Sequence, residues 1–305
     1  MMWNDKRYHS LDYELKQRFG EKIYKLSLDG GMTCPNRDGT LDARGCIFCS
    51  EGGSGDFSAS RILSIPEQIQ AAKEKVSKKC PPGSKYIAYF QAYTNTYAPI
   101  SYLRKIYYEA IEQEEIVAVS IATRPDCLGD EVLSLLEELN AIKPVFVELG
   151  LQTVHDQTAQ FIRRGYSTAV FYDAVHRLQE KKLEIVVHII LGLPYESKED
   201  MLKTVTTVSS LPIQGIKLQL LHILKGTDLA EYVDKIHILE QEEYIDLLIS
   251  CIERIPPHIV LHRITGDGPK NLLLAPLWSS NKKNVLNQIS KEFKTRNTWQ
   301  GKALQ

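Results

Sequence analysis

The sequence predicts an α/β fold, a partial or full (β/α) barrel. Three observations predict it. Short β-branched, apolar runs alternate with longer segments of helical period, which argues for βαβ units and a parallel sheet. Those runs are apolar almost throughout, as in strands covered on both faces. Nearly every run ends in polar residues. Barrel enzymes gather their sites from the C-terminal ends of many strands, whereas an open doubly wound sheet concentrates function at one switch point.

In chain order, the first run, residues 23–28, carries Lys25 inside it and leads into a loop rich in Pro, Gly, Asn and Asp, which is turn chemistry. A helical stretch over 65–79 follows. The second run, 86–93, ends at Gln91, Tyr93 and Thr94 and precedes a helix over 100–113. The third, 116–123, ends at Thr123, Arg124 and Asp126, before a helix over 130–140. The fourth, 145–152, holds Glu148 and Gln152, before a helix over 168–181. The fifth, 184–194, ends near Glu196, before a helix over 198–209. The sixth, 215–224, reaches His222, before a helix over 240–254. The seventh, 258–265, ends at Arg263 and Asp267. Residues 1–18 and the basic 276–305 read as extensions outside a 19–275 barrel.

The chain has 305 residues, is 43% hydrophobic and 25% charged, and has a formal net charge of −1. That describes a globular protein with length for a large core. No run of 18 apolar residues appears, and the polar start lacks the apolar middle of a secretory signal. The expected location is therefore the cytoplasm, where cysteines serve as thiols or metal ligands. Near-neutral charge does not announce a nucleic-acid binder. Residues 71–85 and 281–305 are locally basic, which makes each either a solvated face or a phosphate-contacting rim.

Three of the six cysteines fall close together, as Cys34-x11-Cys46-x2-Cys49. The x2 pair lets two thiolates turn onto one centre. Three thiolates hold a metal or an iron–sulfur cluster and leave one position open, which is where chemistry occurs. The alternative is a structural zinc site closed by a distant ligand such as Cys80 or His222. No second C-x2-C pair or zinc-type histidine spacing supports it. Cys80 and Cys127 are scattered, and Cys251 lies in an apolar helical run as a core residue.

The run ending C-I-F-C resembles the cluster loop of the radical S-adenosylmethionine (SAM) enzymes, with Phe48 as the aromatic before the last cysteine. The long x11 gap resembles the branch that contains the Elongator catalytic subunit. YFQAYTNT, ATRPD (Ala122 to Asp126), VELGLQT with the following RRG, and HIILGLPYE resemble that superfamily's later strand-end motifs. Together they cover most of the chain. Gln152 and Arg164 stand twelve residues apart, as do a SAM-binding Gln and Arg in the coproporphyrinogen-oxidase branch. The sequence departs from the pattern at Ala122, where relatives carry an acid, and at His188, where relatives carry an aspartate. It shows no counterpart of Elongator's acetyltransferase domain.

The resemblance implies a radical SAM-type barrel in which Cys34, Cys46 and Cys49 ligate a [4Fe–4S] cluster. It implies that Phe48 packs near the adenine of SAM, and that Gln91, Tyr93 and Thr94 orient the methionyl end. Glu148, Gln152, Arg164 and His188 are then expected to bind ribose or carboxylate. Lys217, His222, Lys225, Arg263 and Asp267, on late strands, are the substrate candidates. The implied reaction is reductive cleavage of SAM to a 5′-deoxyadenosyl radical. The implied partners are a transfer RNA modified at a wobble-uridine side chain and a reductant such as flavodoxin or ferredoxin. The rival readings are a radical SAM enzyme acting on a small metabolite or a protein, and a zinc-stabilised RNA-binding protein without catalysis.

Overall fold

A computed structural model of the chain describes residues 2–53, 55–266 and 268–305. Among them, seven strands form one parallel sheet: β1 (Tyr24–Leu28), β2 (Tyr86–Phe90), β3 (Ile116–Thr123), β4 (Val145–Gln152), β5 (Glu184–Leu191), β6 (Gly215–Leu220) and β8 (Val260–Arg263). They pair in the order β1-β2-β3-β4-β5-β6-β8, so β1 and β8 are the edges. The sheet is a half-barrel, which decides between the partial and full forms. Two short strands, β7 (Ile223–Leu224) and β9 (Leu273–Ala275), make an antiparallel pair after β6.

The outer layer is helical: α2 (Ile65–Val76), α3 (Ile100–Ile111), α4 (Asp130–Asn140), α6 (Thr168–Glu180), α7 (Lys198–Ser209) and α8 (Gln241–Ile252), with a short α5 (Asp156–Phe161) between β4 and α6. Sequence explains their starts. Pro66 occupies the first turn of α2 and Glu67 reaches back to Ser64, while Ser197 and Asp200 form the same reciprocal cap on α7. Their apolar faces close over the sheet, and β2 is buried at all five positions. The seven strands and six long helices fall where alternation and period predict them. No helix among the described residues is long and apolar enough to cross a membrane.

The terminal segments are not outside the barrel, contrary to the sequence reading. Helix α1 (Leu11–Phe19) plugs the N-terminal end of the half-barrel. Its Leu15 packs with Ile23, Ile87, Ala118, Phe146 and Val186, the lowest interior side chains of the strands. The Leu261 amide donates to His9 O (2.7 Å), and Arg18 pairs with Glu184 (2.6 Å). Helix α9 (Lys282–Thr295) buries Val285, Ile289 and Phe293 in the main core. The fully buried Gln300 donates to Pro256 O and Ile259 O (both 2.8 Å) and accepts from the His9 amide (2.7 Å). Charge density hid these helices, because each spends only one narrow stripe on the core.

Candidate active site at the mouth of the half-barrel

The loop after β1 carries the cysteines to the C-terminal end of the strands. It folds on its own turns: Arg37 N donates to Cys34 O (2.7 Å), Gly45 N to Asn36 O (2.6 Å) and Cys49 N to Cys46 O (3.0 Å). Neighbouring segments then pin it. Ile47 N donates to Ile162 O (3.2 Å), and Leu229 N donates to Ile47 O (2.8 Å). The buried Asn36 amide donates to Arg163 O (2.7 Å), to Arg164 O (3.2 Å) and to Cys46 Sγ (3.5 Å). Arg37 donates to Cys49 O (2.8 Å) and Ser50 O (2.7 Å), with its guanidinium over the Tyr93 ring.

Cys34, Cys46 and Cys49 line one cavity of about 720 Å³, within the range of small-molecule and cofactor sites. Among the described residues no three His, Cys, Asp or Glu side chains gather tightly enough to share a single ion. A cluster asks for a wider spacing, because each thiolate takes a different iron. Enclosure pushes the Cys46 thiol up to about 12, Cys49 adding to the effect and Arg124 opposing it; Cys49 is raised as well. A metal centre must therefore displace protons from these thiols. The donor set fits a three-thiolate cluster, with Asn36 and Arg37 as donors around it.

The same cavity takes in residues expected to hold SAM. Phe48, Gln91, Tyr93, Thr94, Gln152 and His188 all line the cavity. Gln91 accepts from Ser27 Oγ (3.1 Å), and the Thr94 amide donates to Thr33 O (3.2 Å). Tyr93 and Gln152 have φ of +58° and +72°, a left-handed conformation that is costly for non-glycine residues and recurs at ligand sites. Gln152 Oε1 is buried with no hydrogen-bond partner, an acceptor placed in the wall of a ligand-sized cavity. That orphan fits a hydroxyl-bearing ligand.

Arg164 also lines the cavity, but its hydrogen-bonding groups are turned to the protein. It is 2% exposed, and its five N–H groups are all spent on the protein. They go to Tyr166 O (3.1 Å), Leu151 O (3.1 Å), Thr153 O (2.6 Å), Thr168 Oγ1 (3.0 Å) and Asp156 Oδ1 (3.2 Å). Arg164 thus anchors the β4–α6 connection, and its own carbonyl receives Arg124 (2.8 Å) and Asn36. Arg124, in a two-point pair with Asp126 (2.9 and 2.7 Å), completes this support under the cysteine loop.

A layer of charge lines the same cavity. Glu148 is fully buried. Its Oε1 accepts from Lys25 (2.9 Å) and Ser120 (2.6 Å), and its Oε2 from His188 (2.7 Å) and Lys217. Burial alone would raise this carboxyl, but Lys217 and Lys25 outweigh it and hold it well below the usual range. Burial beside Lys217 lowers His188 to about 4, so it donates as a neutral imidazole. With both oxygens filled, Glu148 is bound to protein rather than open to ribose.

The substrate candidates divide. Lys217, His222 and Arg263 line the cavity. His222 packs against the backbone of Gly266, where a Cβ would lie 2.5 Å from the ring. Lys225, just after β7, is exposed and is not among the residues lining the cavity. Asp267 lies outside the described residues. Sequence reasoning missed Asn36, Tyr89, and the roles of Lys25 and Arg124. The polar Lys25 and Ser27, alternating in an otherwise apolar strand, were the available signal for an interior polar layer.

A model of the radical SAM superfamily matches residues 43–208, and a model of the radical SAM C-terminal domain matches residues 213–295. The Bacillus subtilis protein YtqA is 46% identical over 99% of this chain and 94% of its own length. The Escherichia coli protein YhcC is 39% identical over 88% of this chain and 86% of its own. A tRNA uridine(34) acetyltransferase of Methanocaldococcus jannaschii is 25% identical over 55% of this chain but only 32% of its own length. Among solved structures, Elp3 of Methanocaldococcus infernus superposes with a TM-score of 0.69 at 18% identity, over 91% of this chain and 64% of that one. Methylornithine synthase superposes with a TM-score of 0.52 at 13% identity, over 95% and 86%. These two likenesses establish the shared half-barrel fold. The superfamily is one of enzymes that use a [4Fe–4S] cluster and SAM, and this chain belongs to it.

Proposed function

We propose that this enzyme reductively cleaves SAM and uses the resulting radical chemistry on the side chain of a uridine in transfer RNA, in the cytoplasm, with a flavodoxin or ferredoxin as electron donor. The observation that carries the first half is one cavity lined both by three thiols and by the orphaned Gln152 acceptor. The second half is supported by the identity with the tRNA uridine(34) acetyltransferase and by the long gap between Cys34 and Cys46. Of the two basic stretches, the first reaches the cavity at Lys79, while the tail beyond residue 296 is tied to the N-terminal end of the strands. A local basic surface is enough for an RNA arm.

In this reading Cys34, Cys46 and Cys49 hold the cluster, and Asn36 and Arg37 orient and stabilise the ligating loop. When bound, cluster and SAM supply one-electron cleavage of a sulfonium and abstraction of a hydrogen atom. Gln91, Tyr93, Thr94 and Gln152 orient the SAM, and Phe48 packs beside it. The plug of Leu15, Phe146 and Val186 closes the barrel from below, which keeps water from the reacting centre.

Anaerobically reconstituted protein should hold about four irons per chain and release 5′-deoxyadenosine on reduction. Stoichiometric zinc without iron would overturn the catalytic reading. Deleting the gene should change one modified uridine in total transfer RNA, and an unchanged nucleoside profile would overturn the substrate assignment.

A further inference from the structure

The charged layer lining the cavity does not balance. Lys25 and Lys217 both pair with the single carboxylate of Glu148, and both ammonium groups lie 4.7 Å from the centre of the Tyr89 ring. His188 in the same cluster is neutral. With Lys217 protonated, Lys25, Lys217 and Glu148 sum to one excess positive charge, which Lys217, only 3% exposed, presents in the cavity wall. Arg263 lines the same wall and has interactions of its own. The other carboxylate lining the cavity, among the described residues, is Asp56, which accepts from Ser50 (3.1 Å). Lys217 spends two of its three N–H groups, on Glu148 and on the Tyr89 hydroxyl (3.1 Å). A buried cation without full compensation is costly, and a ligand anion removes that cost.

We infer that Lys217 is the receptor for a carboxylate on the substrate, so that the group on which this enzyme acts ends in a carboxylate. A monoanion matches an excess of one charge, and a carboxylate can accept the third N–H of Lys217. The inference rests on the proposed function only in placing that carboxylate on a uridine side chain. Lys25 takes an indirect part: by sharing Glu148 it creates the excess that Lys217 presents. Burial lowers Lys217 to about 7, Glu148 opposing that effect and Lys25 and Arg263 adding to it, with Tyr89, His188 and His262 also facing the layer. Carboxylate binding therefore takes up a proton, and affinity falls roughly tenfold per pH unit above about 7.

The test is equilibrium dialysis of radiolabelled acetate against the full-length protein, with and without reconstituted cluster, at fixed chloride from pH 6 to 9. The expected result is one saturable site that weakens with rising pH and is unaffected by saturating SAM. Lys217→Met should weaken acetate at least tenfold. Lys25→Met should weaken it too, because Glu148 then neutralises Lys217 fully; this partly exposed position also guards against a misfolded Lys217 variant. Absence of a saturable site, or wild-type affinity in both folded variants, overturns the inference. Competition by SAM assigns the site to SAM's own carboxylate and overturns it equally. Acetate binding needs no reductant, so its failure is distinguishable from failure of SAM cleavage.

Discussion

Arg164→Lys separates an anchor from a cofactor ligand. The guanidinium makes five hydrogen bonds, three of them to buried acceptors, the carbonyls of Leu151 and Thr153 and the Thr168 hydroxyl, and one to the partly buried Tyr166 carbonyl. The fifth partner, Asp156, is largely exposed and can be rehydrated. Those acceptors surround a planar fork. Three N–H groups on one nitrogen cannot reach them all, and about two are left unsatisfied. At about 1–3 kcal/mol each, the variant should lose roughly 2–6 kcal/mol, a large share of a typical total near 5–15 kcal/mol. Urea unfolding of the metal-free protein, followed by circular dichroism, reads this as a lowered midpoint at unchanged slope. Iron occupancy after reconstitution should also fall, because the Arg164 carbonyl holds Asn36 and Arg124 against the cysteine loop. A variant with wild-type unfolding but weakened SAM binding would refute this reasoning and restore Arg164 as a SAM ligand.

Glu148→Gln leaves two ammonium groups around a neutral amide and should cost about 3–5 kcal/mol, measured by urea unfolding at pH 7. Because the Glu148 carboxyl is held low, its contribution is present above the unfolded value near 4.3 and is lost as pH falls through the lower folded value, so the variant should show a flatter acid limb. For Cys46 the sign is opposite. Its thiol is raised to about 12, as are those of Cys127 and Cys251, so metal-free protein should lose stability as pH rises from about 8.5 toward 12, and Cys46→Ala should remove the Cys46 share of that slope and leave the rest. Gly165→Ala, at φ +83° and with the new Cβ 2.5 Å from Asn36 Oδ1, should lower both stability and iron content. Gly226→Ala, at φ +79° in open space, should cost only the backbone strain of about 1 kcal/mol and leave iron content intact.

The strand–helix rhythm, the cysteine loop and the row of polar side chains at successive strand ends are legible in the chain alone. These are local properties: a parallel strand must be apolar, a covering helix must be amphipathic, and a ligating loop must turn. The sequence did not reveal that α1 and α9 belong to the fold, because one stripe of Leu15, or of Val285, Ile289 and Phe293, is faint among charges. Nor could it reveal the balance of Lys25, Glu148, His188 and Lys217, which come from four strands and meet only when the sheet curls. Only the folded chain shows that the five N–H groups of Arg164 are taken up by the protein, that Glu148 is shared by two lysines, and that Lys217 faces the cavity. Period and spacing fix where a side chain points from its own strand, whereas charge compensation depends on which other strands are brought within hydrogen-bond reach.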